Sequence, residues 1–308
     1  MPNTTFESNV FLLEFSDVWE LHFTVFLMLY LATVTGNLLI ISSVAFDHHL
    51  HTPMYFFLMN LAMQDIGQVS VIVPKSMINS LLNTRCISYS GCVAQVFLFI
   101  FFIASDFCIL TVMAYDRYVA ICNPLHYEMV INRQACIEMI GGIWVVCFLY
   151  SGIHTCGTFS THFCSNVVNQ FFCDISQLIN LSCSGLNVIE MISTGISVFL
   201  VLGCFIYILV TYVQIFTTVL RVPSAKGRQK AFSTCIPHLI VSSTFLFSAC
   251  FAYLKPASHT PSQLDLMFGV IYSLVPPLLN PVIYSIRNKE VKKAMAKVLG
   301  FREFSTNT

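Results

Sequence analysis

Apolar positions in this chain come in long unbroken runs, and most charged residues fall in the gaps between them. Five runs free of Asp, Glu, Lys and Arg are each long enough to span a bilayer as a helix: 21–46, 139–173, 191–220, 231–254 and 266–286. Crossing roughly 30 Å of hydrocarbon takes about 20 helical residues. Two further stretches, 54–80 and 92–121, are equally apolar but carry Asp65 and Asp106 in their middles. The run from Met139 is too long for one crossing and turns polar after His154, so the fourth span ends there and a structured loop follows to about Ile189. The pattern predicts an all-α membrane protein, a seven-transmembrane helix bundle over 23–287. Its spans lie near 23–46, 54–80, 92–121, 137–157, 190–217, 230–254 and 265–286. An N-terminal tail, 1–22, precedes the bundle, and a tail with a short amphipathic C-terminal helix, 288–308, follows it. In that helix Val291, Ala294, Met295, Val298 and Leu299 share one side, which suits a helix lying on the inner leaflet.

Composition agrees with the pattern: 56% of residues are hydrophobic and 10% are charged, where a soluble domain carries about 25% charge. Nucleic acid is an unsuitable partner, because formal net charge is zero and no basic cluster stands beside aromatic platforms. The placement of charge orients the chain. With the N-terminus outside, twelve of the fifteen basic residues fall on the cytoplasmic side, and only Lys75, Arg85 and Lys255 remain outside. The chain is thus expected to be multi-pass with its N-terminus outside and its C-terminus cytoplasmic, an orientation that suits a plasma-membrane protein. Residues 1–20 lack the basic and apolar regions of a signal peptide, so the first helix is expected to act as its own insertion signal. Asn3 opens a glycosylation sequon on the outer side, and Asn180 opens a second in the long loop.

Nothing in the chain points to catalysis. His48, His49 and His51 cluster on an inner loop without a Cys or Glu to complete a metal site, and no nucleophile-elbow, P-loop or zinc-protease motif occurs. An ion-coupled transporter is the alternative reading, since midplane carboxylates serve carriers too, but no internal repeat is visible. Cys86, Cys92, Cys164, Cys173 and Cys183 lie in the outer, oxidising compartment; five cannot all pair, and a bridge from the third helix into the loop would pin that loop over the bundle.

The segment Met113-Ala114-Tyr115-Asp116-Arg117-Tyr118-Val119-Ala120-Ile121-Cys122, at the cytoplasmic end of the third span, resembles the third-helix signature of the olfactory receptors, a branch of the rhodopsin-like (class A) G-protein-coupled receptors. Leu50 to Leu58, Lys230 to Cys235 with His238-Leu239, Asn280 to Asn288, and Gly36-Asn37 match other blocks of that family in the same order. Three positions depart from its pattern: Pro237 for a usual Ser, Asp106 for a usual Glu, and Leu246 for a frequent Tyr.

The resemblance implies an odorant receptor that raises cyclic AMP through a heterotrimeric G protein of the stimulatory olfactory type. It places a ligand pocket among the third, fifth, sixth and seventh helices, where Phe99, Ile100, Ile103, Ile196, Leu200, Cys250, Tyr253 and Ser273 are the candidates. The outer half of the third span carries no carboxylate to meet a cationic amine, so the expected ligand is a small volatile, neutral and mostly apolar. Activation and coupling would rest on Asp116, Arg117, Tyr118, Tyr212, Lys230, Asn280, Pro281 and Tyr284. A basic ring of Arg117, Arg133, Arg221, Lys226, Arg228 and Lys230 beside Ile121 and Leu125 would receive the G protein. The family pairs Cys92 with Cys173 and Cys164 with Cys183, leaving Cys86 free. No cofactor is required. Asp65 and Asp106 are expected to face the bundle interior, either around a sodium ion with Asn37 and Asn280, or protonated and bonded to neighbours.

Overall fold

A single segment in hydrocarbon must close its backbone hydrogen bonds within itself, and the apolar runs do so as helices. The computed structural model describes residues 9–12, 19–84, 86–168, 170–183, 188–221, 224–254, 263–287 and 289–300. Among these, the seven long helices are α1 (Trp19–Phe46), α2 (Pro53–Leu81), α3 (Tyr89–Cys122), α5 (Arg133–Phe159), α7 (Val188–Leu220), α8 (Ala225–Leu254) and α9 (Gln263–Arg287). Three short ones complete the set: α4 (Tyr127–Val130), α6 (Ile175–Asn180) and α10 (Lys289–Val298). Six of the long helices contain stretches long and apolar enough to cross a membrane; in α8 the described apolar run is shorter, His238–Phe247. The chain is a multi-pass membrane protein built as a helical bundle.

The helices overrun the apolar stretches at most ends. α5, for example, begins at Arg133 and α8 at Ala225, because a hydrogen-bond ladder continues through polar residues until a cap or breaker stops it. Local chemistry sets several starts. Ser88 caps α3 by accepting from Gly91 N at 3.1 Å, Asn132 caps α5 through Ala135 N at 2.9 Å, and Pro53 sits at the first turn of α2, where its missing N–H costs nothing.

α3 is the central post, packed against α2, α5, α7 and α8, while α1 packs on α2, α9 and α10. α1 approaches α9 closely because Gly36 faces Pro281: a Cβ on Gly36 would stand 2.9 Å from the proline ring. The outward faces stay apolar, as on α7, where Phe199 is 80% exposed and Val213 is exposed too. Such a surface suits lipid rather than water.

The bundle is not wholly helical. At one end, here called the loop end, β1 (Asn9–Leu12) lies between β2 (Cys86–Ser88), to which it is antiparallel, and β3 (Val167–Val168), to which it is parallel. Strand alternation puts Val10 and Leu12 into a core with Ile87, Cys92, Val96 and Val168, and turns Phe11 outward. The segment expected as a plain tail therefore contributes the middle strand and the first turn of α1.

At the opposite end, the tail end, α10 seats Val291 and Ala294 in the core formed with α1 and α2. This corrects the expectation of a helix whose whole apolar side rests on lipid: Met295 also packs inward, whereas Val298 and Leu299 are exposed. Lys297 reaches Asp47 at 3.8 Å, tying α10 to the turn after α1.

Candidate functional site

Polar and aromatic side chains gather at three levels along α3. At the loop end, the loop after α5 dips into the bundle. Disulfides join Cys92 to Cys173 and Cys164 to Cys183. Cys173 N donates to Gln95 Oε1 at 2.9 Å, and Ser76 Oγ donates to the Phe171 carbonyl at 2.8 Å, so the backbone of the loop is bonded to both α3 and α2. Phe171 and Phe172 are thereby driven between the helices. Phe172 is fully buried, 5.1 Å from the Phe99 ring and 6.2 Å from that of Tyr272, and Phe171 meets Phe26 at 5.1 Å.

Of the nominated pocket residues, Phe99 and Ile103 belong to this aromatic cluster, and Ser273 is buried in the same stretch of α9 as Tyr272. Ile100 packs instead toward the strands. Ile196 and Leu200 do not face the interior: they are 53% and 56% exposed. The inward side of α7 at this level is marked by Ser193 and Ser197, the latter bonded to Tyr150 at 2.7 Å and His154 at 2.8 Å of α5. A helix turns about 100° per residue, so a nomination one residue off points into lipid. Cys250 is half-buried; the side chain of Tyr253 lies outside the described residues. An open groove of about 610 Å³ lies between α8 and α9, lined by residues including Leu239, Thr244, Phe247 and Phe268, but it faces outward, with Phe247 61% exposed.

Asp174 follows the disulfide, fully buried. It caps α6 by accepting from Ser176 N at 3.4 Å and from Ser176 Oγ at 2.6 Å, and the Tyr272 hydroxyl faces the same carboxyl. Burial pushes this carboxyl above the ordinary carboxylate range, and the hydrogen bonds from Ser176 pull it partway back. A carboxyl raised in the folded state favours folding when protonated and weakens it as pH rises through the folded value. Asp174→Asn keeps the cap and removes the charge. The variant is expected to unfold at a higher temperature than the parent at neutral pH in detergent, with the gain vanishing as the medium is acidified. A constant difference across pH would contradict this account.

At mid-bundle, Asn280 Nδ2 donates to both oxygens of Asp65, at 3.0 and 2.9 Å. Asp106 is equally buried and close enough for the two charges to interact. Buried oxygens without a hydrogen-bond partner occur on these helices and on α1: Asn37 Oδ1, Gln64 Oε1, Gln68 Oε1, Asp106 Oδ1 and Asn280 Oδ1. Among the described residues no group of three or more His, Cys, Asp or Glu could hold a metal. Oxygen donors of this kind match a hard cation better than a soft transition metal.

At the tail end, Arg117 donates to Asp116 Oδ2 from Nε at 2.9 Å and from Nη2 at 2.6 Å, and Tyr127 donates to Asp116 Oδ1 at 2.7 Å. Asp116 is fully buried. Burial beside Asp116 pushes the Tyr127 hydroxyl up, so it stays a proton donor. Tyr118 packs between two cores. Tyr212 and Tyr284 are buried, and their hydroxyls lack partners; the Tyr212 ring lies 5.5 Å from that of His238. Of the expected basic ring, Arg133 and Arg221 are exposed and Arg228 is half-buried, while the side chains of Lys226 and Lys230 lie outside the described residues. Leu125 is 93% exposed, but Ile121, expected beside it, packs inward with Tyr212. Asn3 also lies outside the described residues.

A helical membrane bundle with an arginine held by its neighbouring carboxylate at one end has the architecture of the rhodopsin-like receptors. Squid rhodopsin has the same fold, with a TM-score of 0.73 over 91% of this chain and 85% of that one at 17% identity. The olfactory receptor family model matches residues 26–302. Olfactory receptor 14I1 of Homo sapiens is 49% identical over 96% of each chain, and olfactory receptor 14C36 of Homo sapiens is 47% identical over the full length of both. The chain belongs to the olfactory receptor family, and it is an odorant receptor, not an enzyme. The carrier reading of the midplane carboxylates is set aside with that membership.

Proposed function

We propose that the chain crosses the plasma membrane seven times with the loop end outside, and that it binds a small neutral, mostly apolar odorant beneath the loop. Binding then drives a stimulatory olfactory-type G protein to raise cyclic AMP. The observation that carries the ligand reading is the lining below the loop. Phe99, Ile103, Phe172 and Tyr272 are packed together there, and the adjacent carboxyl, Asp174, is occupied by Ser176. A cationic ligand would have to break the α6 cap to reach that counter-ion, whereas a volatile with one hydrogen-bonding group exchanges aromatic contacts for its own. The odorant shifts the receptor only by its differential affinity for two states. In the second state Arg117 leaves Asp116, Tyr284 moves about the break at Pro281, and Leu125, already exposed, meets the G protein. A panel of neutral and charged volatiles applied to cells expressing the chain, read by cyclic AMP, tests this. Activation by neutral apolar members is expected; activation confined to amines would overturn the ligand class.

The mid-bundle oxygens support a sodium ion held by Asp65, Asp106 and Asn280, which would steady the resting arrangement by charge. Asp106→Asn is expected to abolish any dependence of signalling on sodium concentration, and a dependence left intact would remove the ion from the mechanism.

A further inference from the structure

Three prolines, at 276, 277 and 281, stand inside α9. Each lacks an N–H, so the carbonyls four residues earlier, on Tyr272, Ser273 and Pro277, lose their helical donor. In hydrocarbon a neighbour must supply the missing bond. Two of the three receive one from other helices. Asn37 of α1 donates Nδ2 to the Pro277 carbonyl at 3.2 Å, and Gln68 of α2 donates Nε2 to the Ser273 carbonyl at 2.8 Å. A carbonyl oxygen only accepts, so the nitrogen of each amide must face it. Gln68 is fully buried, and its Oε1 has no partner.

Gln68 lies one turn above Asp65 on α2, and Ser273 lies two turns above Asn280 on α9. The two helices are therefore bonded at two levels, Gln68 to Ser273 and Asn280 to Asp65, on either side of Pro276 and Pro277. We propose that Gln68 is a positioning residue for signalling. It replaces the backbone hydrogen bond that Pro277 removes, and it holds the loop-end half of α9 to α2 while Arg117 is paired with Asp116. Movement of Tyr284 is then confined to the part of α9 below this clamp. Without Gln68 the resting arrangement leaves the Ser273 carbonyl unsatisfied in an apolar surround, and any arrangement that finds that carbonyl another donor gains in population.

The clamp makes an unusual demand on its test, since the lost donor can be restored from the backbone. Gln68→Leu is expected to raise basal cyclic AMP per surface receptor roughly two- to tenfold, the factor that one net hydrogen bond carries. Pro277→Ala returns an N–H to position 277, four residues after Ser273, and makes the clamp redundant. The double variant Gln68→Leu/Pro277→Ala is expected to fall back to the parent level. The basal readout rests on the coupling proposed above; a second readout, the surface count on unpermeabilised cells, needs neither agonist nor G protein. If Gln68→Leu is retained inside the cell, the double variant is expected to return to the surface. A double variant no better than Gln68→Leu in both readouts overturns the clamp, as does a Gln68→Leu receptor equal to the parent in both.

Discussion

Replacing Cys92 or Cys173 by serine is expected to abolish delivery of the receptor to the cell surface. Both sulfurs are buried, and their bond closes 81 residues of chain. In the chain-entropy picture a loop of that length is stabilised by about 4 to 5 kcal/mol, an upper bound here because inserted helices already restrict the open state. The larger loss is what the bond holds in place. Cys173 N bonds Gln95, Phe172 fills the space beside Phe99, and Val10, Leu12 and Val168 pack around Cys92. Releasing the loop exposes this apolar core to water, and a cell retains such a chain. The Cys164–Cys183 bridge spans 19 residues within one loop, and Cys164 is exposed. Its removal is expected to reduce surface delivery only partly. Surface staining of intact cells distinguishes the two, and a Cys92→Ser receptor delivered and responding like the parent would refute the ranking.

The second large effect is expected at Arg117. Arg117→Ala should remove the odorant-driven cyclic AMP response while leaving the receptor at the surface. Asp116 accepts three hydrogen bonds, two from Arg117 and one from Tyr127. Truncating one partner of a buried pair costs about 3 to 5 kcal/mol if the other stays charged. Asp116 keeps its bond to Tyr127, which still satisfies part of the carboxylate, so the cost falls short of unfolding. What is lost is the cation proposed above to change partners on activation. Tyr127→Phe provides the contrast: it removes one donor from Asp116, loosens its hold on Arg117, and is expected to raise basal signalling severalfold, in line with one net hydrogen bond. Cyclic AMP normalised to surface density reads both, and an undiminished response from Arg117→Ala would exclude the arginine from the switch.

The helices were legible because the bilayer leaves a buried backbone few options, so a long apolar run declares its own structure. The direction each helix faces was less so. At its loop-end half α7 is largely apolar, and there the small polar residues Ser193 and Ser197 reveal which side turns inward; Ile196 and Leu200 carry no such signal. The strands escaped altogether, since Asn9–Leu12 is short and its partners lie far along the chain. Pro277 made an orphaned carbonyl at Ser273 readable from spacing alone. That Gln68 would answer it depended on how α2 and α9 meet, which no local pattern records. The aromatic pair Phe171-Phe172 stood beside a cysteine expected to be pinned to α3, and that adjacency was the available hint that both rings enter the bundle.

The small sheet sets synthesis and assembly in opposite orders. β1 leaves the ribosome first, yet β2 follows only after two long helices and β3 only after four. The leading end must therefore wait, unpaired, while most of the polypeptide is threaded, and then slot between two latecomers. Any fusion partner added ahead of Asn9 has to leave that slot reachable, which makes the choice of linker a folding decision as much as a detection one.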